Sequence, residues 1–226
     1  MYILVAAATA FEIQPLVKFL ESPDSPAPGH EVGTLITGIG TLAATWSLSR
    51  QIDRRRPDLI IQAGIAGCLT DILPGEVLAV AEDHPADLGV WEGGRFSTVF
   101  DLGLADADTP PFSKGRLVNP YRHLLGLTSL TTVGAITVNE ITTSAERIRW
   151  YQQNTRAIVE SMEGAALHFV CLQAGVPFLQ LRSVSNTVGV RDKTKWEMGL
   201  AIGRLNQALL DFLSQPALAE TVNLQT

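Results

Sequence analysis

Two hydrophobic rhythms alternate along this chain. Residues 2–8 (YILVAAA) form one continuous apolar run, as expected of a strand buried on both faces. Ile13, Leu16, Val17 and Leu20 then recur at helical spacing, with Pro15 accommodated in the first turn. The stretch 21–30 holds three prolines and a glycine, which predicts a turn. A strand ending near Thr37 leads through Gly38-Ile39-Gly40 into a helix with Ala44, Leu48 and Ile52 on one face. A strand over 58–62 runs into the glycine-rich Ala63-Gly64-Ile65-Ala66-Gly67, and 75–81 reads as another strand.

Residues 84–118 are rich in Gly, Asp and Pro and show no period, so a long loop is expected there. A strand over 130–138, a polar helix over 144–153, a short strand over 155–160, a helix over 162–174 and a strand over 177–184 follow. The last helix carries Met198, Ala201, Ile202, Leu205, Leu209, Phe212 and Leu213 on one stripe. Residues 215–226 are expected to fray.

Alternating strands and helices define an α/β domain. Neither an internal repeat nor a second compositional regime is visible, so one domain is expected over 1–214, followed by the tail 215–226. The 226 residues can bury a substantial core without disulfides. With 46% hydrophobic and 18% charged residues, the chain is neither disordered nor fibrous. Its 17 basic and 23 acidic residues give a net charge of −6 with no basic stripe, which argues against nucleic-acid binding. Arg54-Arg55-Arg56, at the end of a helix, reads as a complement to the helix dipole. Cys68 and Cys171 lie in apolar segments and read as buried reduced thiols. The N-terminal apolar run lacks the preceding positive charges of a signal peptide, and no stretch reaches the ~18 apolar residues of a membrane span. A cytoplasmic protein with no membrane partner is expected.

In open α/β sheets, ligands collect beyond the carboxyl ends of the strands. That places Glu12, the 38–40 turn, the 63–67 run, the 138–142 segment, Glu163 and the stretch from Arg182 to Asn186 near a site. Each also has a plainer reading. Glu12 and Glu163 could be first-turn acids favoured by helix dipoles. Gly38-x-Gly40 is half a dinucleotide fingerprint, with Ala43 in the third place and no convincing acidic partner, so no dinucleotide cofactor is expected. Arg182 lies among apolar strand residues and needs a partner, because an unpaired buried charge is costly. His30, His84, His123 and His168 have no metal-ligand spacing, and neither a Gly-x-Ser-x-Gly elbow nor an HExxH motif occurs. No cofactor and no metal are expected. Carboxylate, arginine and amide chemistry remains.

Together, AGIAG (63–67), ESMEGAA (160–166) and LRSVSN (181–186), with Glu12 after the first strand, resemble the nucleoside phosphorylase/nucleosidase family, nearest its methylthioadenosine/S-adenosylhomocysteine nucleosidase branch. The resemblance runs from residue 1 to about 214 and is weakest across 84–130. It implies a single-domain, three-layer fold with a central mixed sheet flanked by helices. It also implies hydrolysis of an N-glycosidic bond in a small-molecule nucleoside. On this resemblance Glu12 deprotonates the attacking water, Arg182 helps to orient that water and Glu12, and Glu163 grips the ribose hydroxyls. Met162 packs on the sugar, Ala66 and Gly67 face the ligand, and Ile141 and Thr142 stack on the purine.

Two positions depart from the adenosine-type pattern. Ile65 replaces a serine near the water, and Asn186 replaces the aspartate that protonates the purine. A carboxylate facing O6 of a 6-oxopurine would meet another lone pair, whereas the Asn NH2 donates to it. Asn186 therefore points to a 6-oxopurine. The stretch RSVSNTVGVRD with Trp196 following makes futalosine, of menaquinone biosynthesis, the implied substrate. Methylthioadenosine, the amino analogue of futalosine, or phosphorolysis of a 6-oxopurine nucleoside are the alternatives. Loops 8–12 and 37–41 hold no Arg or Lys to receive a phosphate dianion, which favours water as the nucleophile. The resemblance further implies a homodimer or higher homo-oligomer, with the 84–118 loop as the candidate lid on a neighbour's pocket and Trp46 and Trp91 as candidate interface aromatics. Arg191, Lys193 and Lys195 could meet a substrate carboxylate or simply form a solvated charged loop.

Overall fold

The computed structural model describes residues 1–22 and 30–218. The expected turn over 21–30 therefore lies mostly outside the described residues, as does the tail from 219 onward. In chain order the elements are β1 (Tyr2–Ala7), α1 (Ala10–Glu21), β2 (Glu31–Ile36), α2 (Thr41–Arg54), β3 (Leu59–Cys68), β4 (Val77–Pro85), β5 (Gly89–Glu92) and β6 (Arg95–Thr98). They continue with β7 (Leu117–Val118), α3 (Arg122–Leu127), β8 (Thr131–Thr137), α4 (Ala145–Asn154), β9 (Ala157–Ser161), α5 (Gly164–Ala174), β10 (Phe178–Thr187) and α6 (Met198–Leu213).

Eight strands form one mixed sheet, in the order β10-β4-β8-β9-β3-β1-β2 with β7 on β4. The sheet also closes on itself. β3 pairs β10 and β9, β10 pairs β4, β4 pairs β8 and β8 pairs β9, so five strands make a ring from which β1 and β2 extend. Successive residues of β1 face opposite layers, as strand geometry requires. Ile3 and Val5 pack with Ile13 and Leu16 of α1 and Leu205, Leu209 and Phe212 of α6. Leu4 and Ala6 pack with Leu48 of α2 and Leu167, Val170 and Cys171 of α5. The central strands are thus covered on both faces, which is why they read as unbroken apolar runs.

The structure amends several expectations. The strand expected over 58–62 extends through the 63–67 glycine-rich run, which forms the second half of β3 and pairs with β10 and β9. Glycine is required at position 64 by close approach, since a Cβ there would overlap Arg182 Nη1 and stand 3.0 Å from Glu12 Oε1. The 84–118 stretch is only partly irregular. It holds the hairpin of β5 and β6, in which Trp91 packs on Phe96 and on Trp150 of α4. Trp91 is thus bound within its own chain, whereas Trp46 is 66% exposed. Arg55 pairs with Glu31 and lies over the Tyr2 ring, and Arg56 donates to the Gly175 carbonyl at the end of α5 at 2.9 Å, so these arginines tie elements together. Leu218, expected to be frayed, is fully buried in the α1/α6 cluster.

α1 begins at Ala10, so Pro15 falls in its second turn and not its first. There the ladder is repaired from outside. The Asn206 side chain of α6 accepts from Leu16 N–H at 3.0 Å and donates to the Glu12 carbonyl at 2.8 Å. A buried side-chain amide thereby replaces one helical hydrogen bond beside the proline.

Candidate active site

A cavity of about 310 Å³ opens where β1, β3, β9 and β10 end. Of the residues singled out from sequence, Glu12, Ala66, Gly67, Ile141, Thr142, Met162, Glu163 and Asn186 all line it. Arg182 does not. It is buried at 1% exposure behind the wall, among other side chains of the protein.

Glu12 is held by two elements. Its Oε2 accepts from the N–H and the hydroxyl of Thr9, at 2.9 and 3.0 Å, capping α1. Its Oε1 accepts from Ile65 N–H in β3 at 3.1 Å. The first-turn reading of this acid is therefore true but incomplete, because the second oxygen anchors it over the sheet. With three donors on a four-site acceptor, the carboxylate has a fixed orientation and one free lone-pair site. Position 65 contributes its backbone, so the departure to isoleucine leaves this anchor intact.

Glu163 precedes α5 yet does not cap it. The first helical N–H groups are met by others: Gly164 donates to Ser161 Oγ and Ala165 to Thr137 Oγ1, at 3.3 and 2.7 Å. The Glu163 carboxylate is thereby left for another element, and Oε1 accepts from Gly40 N–H at 2.9 Å. The Gly38 and Gly40 backbones have φ of +83° and +88°, which only glycine adopts without strain. Their turn presents the Gly40 N–H to a carboxylate of the protein itself. Arg182 Nη2 lies 3.9 Å from Glu163 Oε2 and donates to Gln62 Oε1 at 2.8 Å, while Gln62 Nε2 donates to the Glu163 carbonyl at 3.3 Å. Burial raises the Glu163 carboxyl above its ordinary range, and the Arg182 charge and the Gly40 N–H pull it back.

Asn186 is the penultimate residue of β10, beside a bulge that leaves Ser185 out of register. Its Oδ1 accepts from Ser185 Oγ at 2.8 Å and its Nδ2 donates to the Thr187 carbonyl at 2.9 Å. Asn186, Gly67 and Glu160 share one rung across β10, β3 and β9.

Several cavity residues were given no role from the sequence. Glu160 is one: Oε1 accepts from Thr142 N–H at 3.2 Å, tying the 138–144 segment to β9, and burial raises its carboxyl. Phe11, Ile39, Ser185, Arg191, Trp196 and Met198 also line the cavity. Ser185, Arg191 and Trp196 fall in or just after the RSVSNTVGVRD stretch, with Arg191 a candidate partner for a carboxylate, whereas Phe11 and Met198 had only their position next to motif residues. The buried Asp83 was likewise silent; it sits under the start of α5, accepting from Thr137 Oγ1 at 2.9 Å and from Gln180 Nε2 at 3.1 Å.

The family profile of the phosphorylase superfamily matches residues 26–214. The chain belongs to that superfamily. Among its relatives, a futalosine hydrolase of Acidothermus cellulolyticus is 34% identical over 178 residues, spanning 77% of this chain and 72% of that protein. A futalosine hydrolase of Streptomyces coelicolor is 31% identical, spanning 92% and 94%. A solved structure of a futalosine hydrolase mutant from Helicobacter pylori superposes with a TM-score of 0.79 at 18% identity, over 94% of this chain and 98% of that one, and so shares the fold.

Proposed function

We propose that this chain hydrolyses the N-glycosidic bond of futalosine, releasing hypoxanthine and dehypoxanthine futalosine, as a step of menaquinone biosynthesis in the cytoplasm. The observation that carries this reading is an amide, Asn186, in the same cavity wall as the two anchored carboxylates Glu12 and Glu163. Its futalosine-cleaving relatives support it.

In this mechanism Glu163 holds the ribose hydroxyls, with Met162 packed on the sugar and Ile141 and Thr142 against the purine. Ala66 and Gly67 provide the backbone floor. Asn186 donates to O6 or N7 as the C1′–N9 bond breaks and its electron pair passes to the purine. Water adds its oxygen to C1′ and gives a proton to Glu12, whose geometry is already fixed. The hypoxanthine anion then takes a proton from solvent. Arg182 serves as a positioning residue, balancing the charge of Glu163 and aligning it through Gln62.

Water is favoured over phosphate because the Gly40 N–H, a natural anion donor, is occupied by Glu163. The exposed Ile39, Leu42 and Trp46, at 63, 87 and 66%, suit a face covered by a second copy, which is the basis for proposing a homo-oligomer. No residue of the 84–118 loop lines the cavity of its own chain, so a lid role for it would be exerted on a neighbour. Among the described residues, no helix is long and apolar enough to cross a membrane.

The test is free-base release in phosphate-free buffer from futalosine, inosine, methylthioadenosine and aminodeoxyfutalosine. Hypoxanthine from futalosine is expected. Release only after phosphate is added would make the chain a phosphorylase, and adenine release would overturn the role of Asn186.

A further inference from the structure

Beyond the reaction itself, the cavity has an uneven charge. Its wall contains three carboxylates, Glu12, Glu160 and Glu163, and one cation, Arg191. A neutral nucleoside has no need of that cation, and phosphate has no partner set around it. Lys193 and Lys195, the other basic residues of this segment, form an exposed 3-10 turn and do not line the cavity.

Arg191 is held in place without being neutralised. Its guanidinium carbon lies 5.5 Å from the centre of the Trp196 ring. The Trp196 indole N–H donates to the Val190 carbonyl at 2.8 Å, which pins the ring to the residue preceding Arg191. The adjacent Asp192 turns to Thr194, its Oδ1 accepting from the N–H and the hydroxyl at 3.1 and 2.7 Å. Among the described residues no carboxylate lies within ion-pair distance of Arg191. A stacked guanidinium keeps its planar fork free for a bidentate anion, and stacking removes part of the entropy cost of using it. Phe11 and Ile39, 56 and 63% exposed, line the same cavity and offer apolar surface to an aromatic ring.

We propose that Arg191, stacked on Trp196, binds the carboxylate of the substrate's 5′ carboxyphenyl tail, and that Phe11 and Ile39 receive the phenyl ring. This rests on the reading that futalosine is the substrate. Arg191 becomes the residue that selects nucleosides with an anionic aromatic 5′ extension over those with a short neutral one.

The experiment compares futalosine with its methyl ester, in which the tail is neutral, by kcat/KM for hypoxanthine release. A charged hydrogen-bonded pair of this kind is worth a preference of about 10- to 100-fold for the acid. Wild-type protein should show that preference, R191Q should reduce it to near unity, and R191K should retain part of it. The loss should lie in KM more than in kcat. A preference that R191Q leaves intact, or a wild type that treats acid and ester alike, would overturn the assignment. Base release by the wild type from inosine or methylthioadenosine but from neither futalosine nor its ester would overturn the substrate reading itself, and this proposal with it.

Discussion

Asn206 of α6 donates from Nδ2 to the backbone carbonyl of Glu12 at 2.8 Å, in the place where α1 would use its own Leu16 N–H. The proposed base is thus fixed at three points: its carboxylate by Thr9 and Ile65, and its backbone by the C-terminal helix. Replacing Asn206 by Ala leaves Leu16 N–H and the Glu12 carbonyl unpaired in the interior, at a cost of about 1–3 kcal/mol. The expected result is a lower urea midpoint together with a fall in kcat at little-changed KM. Lowered stability with kcat intact would restrict Asn206 to a structural role.

Glu12 and Glu163 should separate cleanly in kinetics. E12Q keeps the shape of the site and removes the proton acceptor, so turnover should fall by about 100-fold or more while substrate still binds. E163Q weakens the grip on the sugar and should raise KM as well as lower kcat. Substantial activity in E12Q would remove Glu12 from the role of base.

The Thr187 carbonyl settles which end of the Asn186 amide carries hydrogen, because a flipped amide would oppose two oxygens. One N–H of Nδ2 is used there and the other remains for the purine. N186D puts a carboxyl against the same carbonyl and removes the donor to O6. Hypoxanthine release should drop by about 100- to 1,000-fold, as for loss of one donor to a developing anion. The ratio of aminodeoxyfutalosine to futalosine cleavage should rise. An unchanged ratio would show that position 186 does not read the base.

Asp83 gives stability a pH dependence opposite to that of most acids. Complete burial pushes its carboxyl up to about 6, against the hydrogen bonds from Thr137 and Gln180 and the Arg182 charge. Between its ordinary value near 3.8 and about 6, the folded protein keeps this proton while the unfolded chain loses it. Its contribution is therefore full below about pH 4 and lost as pH rises through 6, a change of roughly 3 kcal/mol. Urea midpoints of wild type and D83N at several pH values check this. The midpoint of D83N relative to wild type should rise across that window, and parallel curves would refute the burial effect.

The strands and helices were legible because each answers to a local period. The apolar run of β1 and the stripe of α6 need no partner to be recognised, since burial on two faces and on one stripe leave different patterns. The start of α1 was less legible: Pro15 suggested a later start, and its tolerance in the second turn depends on Asn206, which lies 190 residues beyond Leu16. The strand expected over 58–62 was drawn too short because local signals cannot show that Gly64 makes room for Arg182 inside a strand. The hairpin of β5 and β6 was missed because its order comes from Trp91, Phe96 and Trp150 packing across elements.

The same division holds for the site. By itself the sequence determined the fold class, the family motifs and the residue types available for chemistry, because periodicity and motif spacing are properties of neighbours in the chain. Tertiary structure alone decided what each side chain faces. It withdrew Arg182 from the cavity, turned Glu163 from its own helix to Gly40, and separated Arg191 from Lys193 and Lys195. Those outcomes depend on strand register and on which buried donors lack partners, and both exist only once distant segments have packed together.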